Sequence, residues 1–164
     1  MAVGTSAFSQ GYLTVAGGNY SHAEGLSTYA GASGSHTEGN GTSSVALYSH
    51  AEGVDTRVSG TGAHVEGLGT KATSSYQHVQ GKYNSTTNAS DYAHIVGNGT
   101  SDTDRKNIHT VSWEGEAWFA GNVTVGDKKE VLATKAYVDN SIGTIESALD
   151  AIIAIQNTLI GGTN

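Results

Sequence analysis

The chain has 164 residues, with 23 Gly, no Pro, no Cys, two Trp, two Phe and one Met. So few large apolar side chains cannot fill the core of a compact domain, and Gly at this abundance raises the backbone entropy that folding must overcome. A balance of 8 Lys and Arg against 15 Asp and Glu, net −7, argues against a sequence-independent grip on nucleic acid, and the absence of Cys excludes disulfides, zinc–thiolate sites and thiol nucleophiles.

Met1 to Gln10 has neither the basic n-region nor the apolar h-region of a secretory signal. No run of about 18 apolar residues follows, so no membrane insertion is expected. The repeat opens with a degenerate copy, Phe8-Ser9-Gln10-Gly11. It continues as Ser21-His22-Ala23-Glu24-Gly25, Ser35-His36-Thr37-Glu38-Gly39, Ser49-His50-Ala51-Glu52-Gly53, Ala63-His64-Val65-Glu66-Gly67 and Gln77-His78-Val79-Gln80-Gly81. Each full copy starts 14 residues after the last, and a seventh, Ala93-His94-Ile95-Val96-Gly97, follows a two-residue insertion. A second column holds Thr14, Thr28, Thr42, Thr56, Thr70 and, after the insertion, Thr100; a third holds Ala16, Ala30, Ser44, Val58 and Ala72.

A 14-residue period is too short for a helix pair or a propeller blade, but it suits one coil of two strands of about five residues joined by two Gly-containing turns. The expected fold is therefore mainly β, a parallel β-solenoid of about seven coils over residues 1–102. At about 4.8 Å per coil, such a rod is only about 33 Å long. Strand alternation puts His and Glu on one face and Ser, Ala and Gly on the other, with the Ala column suited to a narrow interior. A coil this thin cannot bury enough surface alone, so the His/Glu face is where neighbouring chains are expected to pack. Phe8 and Val96, which replace His and Glu in the terminal copies, fit partial burial of that face.

The candidate site residues are His22, Glu24, His36, Glu38, His50, Glu52, His64, Glu66, His78 and His94, expected as a hydrogen-bonded structural ladder between coils or subunits. His and Glu are also metal ligands. The ladder is the simpler reading, and neither metal nor cofactor is expected. Protonating such a ladder below about pH 6 should change stability, because an unperturbed His titrates near 6.5. A regular row of Glu offers no unique cleft for paired-carboxylate chemistry, so no enzyme is expected. A fourth column alternates Tyr20, Gly34, Tyr48, Gly62 and Tyr76, with Tyr92 after the insertion. Each Tyr ring can cover the bare backbone of a neighbouring Gly. The four Tyr are also the candidate contacts for a ligand such as a glycan.

Residues 103–128 are expected to form a short antiparallel β module. Asn107–Trp113 alternates, Glu114-Gly115 turns, and Glu116–Val125 returns. Residues 129–164 are expected to hold a C-terminal helix. There Val138, Ile142, Ile145, Leu149, Ile152, Gln156 and Leu159 recur at alternating spacings of four and three, a heptad seam. Ile142 and Leu149 fall at a, with Ile145 and Ile152 at d. Ile at these positions favours three strands, and Gln156 can fix register. A trimeric coiled coil, and so a homotrimer, is the expectation.

The repeat Ser-His-Ala-Glu-Gly-x-x-Thr-x-Ala resembles the left-handed parallel β-roll of trimeric autotransporter adhesin heads, with His and Glu in place of that family's apolar pair. The segments Ala93–Thr100, Trp118–Val123 and Ala133–Val138 are similar to bacteriophage tail-fibre and minor structural proteins. The resemblance implies a non-enzymatic homotrimeric fibre on the surface of a phage or phage-like particle. Its implied partners are other virion proteins of the tail, baseplate or capsid, and a bacterial surface glycan or protein to which it attaches. The alternatives are a purely structural spacer or head fibre, and a cellular adhesin head.

Overall fold

In a computed structural model of the chain, residues 1–121, 124–125, 130–131 and 135–161 are described. They belong to two compact units, Met1–Gly121 and Asn122–Asn164.

The first unit is a parallel β-solenoid of about six turns with 14-residue spacing. Its strands are β1 (Phe8–Tyr12), β2 (Val15–Ala16), β3 (His22–Leu26), β4 (Tyr29–Ala30), β5 (His36–Thr37), β6 (Ser43–Ser44), β7 (His50–Ala51), β8 (Arg57–Val58), β9 (His64–Val65), β10 (Lys71–Ala72), β11 (His78–Lys82) and β12 (Tyr92–Asn98). Odd-numbered strands up to β11, then β12, stack in parallel as one sheet, while β2, β4, β6, β8 and β10 form the other. The register is that of the repeat: His22 pairs with His36, His36 with His50, and His50 with His64. The two-residue insertion is absorbed between β11 and β12, because His78 pairs with His94 and Gly81 with Gly97. The intervening chain carries one 3₁₀ turn, Ala89–Asp91.

Several strands contain two residues rather than the five expected. The phased Gly two residues after β5, β7 and β9 adopts φ between +102° and +105° (Gly39, Gly53 and Gly67), as does Gly25 within β3. The ladder resumes one residue later, in the bridges Leu26–Asn40, Asn40–Val54 and Val54–Leu68. A left-handed or mirror-β backbone is open to Gly at no steric cost.

The interior is as narrow as the Ala column implies. Ala16, Ala23, Ala30, Thr37, Ser44, Ala51, Val58, Val65, Ala72, Val79 and Ile95 are all fully buried. The Ser column is buried too, and its hydroxyls donate back to the preceding turn, Ser21 to the Gly18 carbonyl at 2.6 Å and Ser49 to that of Ala46 at 2.7 Å. Thr14, Thr28, Thr42, Thr56 and Thr70 are likewise buried. Thr100 does not join them: it is exposed, and its hydroxyl donates to Asp104 at 2.6 Å. The next place in that column belongs to Asn84, which is fully buried. Its amide oxygen accepts from the Lys71 N–H at 2.8 Å, and its amide nitrogen donates to the Lys71 carbonyl at 3.0 Å. One side-chain amide thus replaces the backbone of a further coil and ends the second sheet.

After β12 the chain reverses. β13 (Asn107–Ser112) pairs antiparallel with β12, and β14 (Ala117–Phe119) with β13, so both extend the first sheet. In the second unit β15 (Thr124–Val125) pairs antiparallel with β16 (Glu130–Val131). A 27-residue helix, α1 (Lys135–Gly161), follows. No helix among the described residues is long and apolar enough to cross a membrane.

Candidate functional site

Parallel in-register pairing stacks like residues directly above one another, so the His column becomes a column of rings. The His22, His36, His50, His64 and His78 rings lie 4.5 to 4.9 Å apart, centroid to centroid, within 5° to 10° of parallel. His94 continues the column at 5.3 Å, tilted by 58°. Two members escaped the repeat pattern because they lie on antiparallel strands out of phase with it. His109 meets His94 edge-on at 5.5 Å, and Phe119 stacks on His109 at 4.4 Å. Phe8 meets His22 edge-on at 5.1 Å at the other end. Their only sequence signal was the local alternation in Asn107–Ser112 and Ala117–Phe119.

The carboxylates run alongside. Glu24 lies 3.8 Å from His22 Nε2, Glu52 3.6 Å from His64 Nε2, and Glu66 3.6 Å from His78 Nε2. These separations are too long for hydrogen bonds. The Nε2 atoms of His22, His36, His50 and His64 are shut off from solvent without a hydrogen-bond partner among the described residues. Where Gln80 stands in the Glu column, its amide nitrogen lies 3.3 Å from His94 Nε2. Burial, and then the neighbouring rings of His36 and His64, push His50 below the usual histidine value, against the pull of Glu38. Burial, then His78 and His109, do the same to His94. Glu24, Glu38, Glu52 and Glu66 line an open groove together with the phased Gly.

A further column flanks this face, one residue after each phased Gly: Tyr12, Leu26, Asn40, Val54, Leu68 and Lys82 pair in register. Its apolar members are exposed, Leu68 least at 38%. The sequence carried that signal in the residue following each Gly of the repeat.

Tyr20, Tyr48 and Tyr76 project from αL positions and are 70 to 72% exposed. The Tyr48 ring lies 2.7 Å from where a β-carbon on Gly34 would sit, and that of Tyr76 2.9 Å from one on Gly62. Each therefore covers the glycine one coil earlier. Tyr92 departs from the row: it is half-buried and packs against the core. Asp102, fully exposed, is held down to about 2 by hydrogen bonds from Arg105 and Lys71, which ties the loop after β12 to β10.

On α1, Ile142, Ile145, Leu149, Ile152 and Leu159 are all exposed on the single chain, by 48 to 69%. Gln156 is exposed as well. Val138 lies within α1, but its side chain is outside the described residues. No family model matches the chain, and no curated protein matches it.

Proposed function

We propose that the protein is a non-enzymatic homotrimeric fibre segment on the surface of a phage or phage-like particle, attaching that particle to a host surface. The observation that carries this reading is the bare helical seam. Ile142, Ile145, Leu149, Ile152 and Leu159 are exposed along one chain, and a heptad seam with Ile at both a and d is satisfied by a three-stranded coiled coil. The solenoid supports it independently. Its interior contains no side chain larger than Ile95 and Gln77, while its outer His column leaves ring nitrogens unpaired and the Leu26, Val54 and Leu68 column lies bare. A thin rod of this kind gains stability from neighbours along its length. The absence of catalysis belongs to the same proposal, since the Glu column repeats evenly.

Attachment falls to the exposed tyrosines, whose rings offer an apolar face and a hydroxyl to a glycan or protein. The test is binding of the purified protein to a panel of bacterial envelopes and surface glycans, beside a variant carrying Tyr20→Gly, Tyr48→Gly and Tyr76→Gly. Gly already occupies the equivalent αL positions at 34 and 62, so the fold tolerates it. Saturable binding that falls at least tenfold in the variant is expected. Silence across the whole panel would leave a structural spacer.

A further inference from the structure

The repeat predicts a hydrogen-bonded His/Glu ladder between coils or subunits, and within one chain several ring nitrogens of that ladder make no hydrogen bond among the described residues. Four ring nitrogens, on His22, His36, His50 and His64, are shielded from water and unpaired, a costly state for a buried polar atom. Glu24 stands 3.8 Å from His22 Nε2, and Glu52 3.6 Å from His64 Nε2. Two ligand atoms on one tetrahedral ion, each at about 2.0 to 2.1 Å from it, lie about 3.4 Å apart. The His22–Glu24 separation is too wide for a hydrogen bond and near that of two ligands sharing a metal.

Two sets of three ligand residues converge among the described residues. In the first, ligand atoms of His22, Glu24 and His36 all lie within 4.8 Å of one another; in the second, those of Glu38, His50 and Glu52 do. Each set draws on two successive coils. We infer that each is a binding site for a divalent first-row transition ion of the zinc class, which staples one coil to the next. Mixed imidazole and carboxylate donors select zinc, cobalt, nickel or copper over magnesium and calcium, which prefer oxygen alone. The imidazole must be neutral to ligate, so binding weakens as pH falls. Three protein ligands leave the fourth position open to water or to an acidic side chain of a neighbouring chain. The site is complete within one chain, so it stands or falls apart from the oligomeric state.

The test uses the full-length, tag-free protein stripped with chelator. Cobalt(II) is titrated at pH 7.5 while its visible d–d absorption is followed, then displaced with zinc and, separately, challenged with magnesium. About two ions per chain are expected, one for each set, with zinc displacing cobalt and magnesium failing to do so. His36→Gln should remove one site, and His36→Gln with His50→Gln should weaken binding at least tenfold at both. Absence of a cobalt spectrum in the wild-type protein overturns the inference, as does a double variant that binds like the wild type. If the variants do not fold by circular dichroism, the wild-type protein decides: zinc at saturation raises its melting temperature if the staple exists, and an unchanged melting temperature overturns it.

Discussion

At the level of single residues, the interior holds nothing larger than Ile95 and Gln77, and its polar members differ in how well they are satisfied. The Ser hydroxyls bond to the preceding turn, whereas the hydroxyl of Thr37 is fully buried with no partner among the described residues. Val65 and Val79 fill the same column in later coils with 0% exposure. Thr37→Val removes an unpaired buried hydroxyl and keeps the shape, so it should stabilise the protein by about 1 kcal/mol, read as a higher urea midpoint at unchanged m. The His column gives a second prediction. His50 and His94 are lowered in the folded chain, so below about pH 6.5 the unfolded chain takes up protons that the folded chain resists. Stability is then full above pH 6.5 and lost as pH falls through the lowered values. Glu38, and Glu66 beside His94, oppose the shift without reversing it. Thermal melts should fall steadily from pH 7.5 to pH 5, and a melting temperature that rose over that range would contradict the assignment.

Among the elements, the phased glycine decides whether coils stack. Gly39 has φ of +105°, and a methyl group there would drive into the carbonyl oxygen of Gly53 on the next coil. Gly39→Ala should therefore cost at least about 3 kcal/mol, combining backbone strain with forced separation of two coils; a loss below 1 kcal/mol in urea unfolding would show that the corner can relax. This column was legible in the sequence, because one backbone conformation repeated every 14 residues writes the same residue type each time. The Ala, Ser and Thr interior and the shifted register after the insertion were legible for the same reason. What escaped depended on hydrogen bonding or chain reversal rather than residue type. Asn84 ends a Thr column because an amide can imitate a peptide group, and His109 with Phe119 reach the ring column only through antiparallel pairing. The His ladder itself was visible, but not the missing hydrogen bonds, which depend on a few tenths of an ångström between side chains.

For the molecule as a whole, the proposed three-chain assembly would cover the apolar residues of α1 that are exposed on one chain. The seam is the sensitive place. Replacing Ile145 and Ile152 with Asp puts charge at two d positions, and by the proposed assembly it should release single chains. The most direct measurement is the mass of the untagged wild-type protein by equilibrium sedimentation near pH 7.5. A single species of about 50 kDa is expected, three times the 16.8 kDa chain, falling to the single-chain mass in the Asp variant. A wild-type species of 16.8 kDa that is folded and melts cooperatively would contradict the proposed assembly.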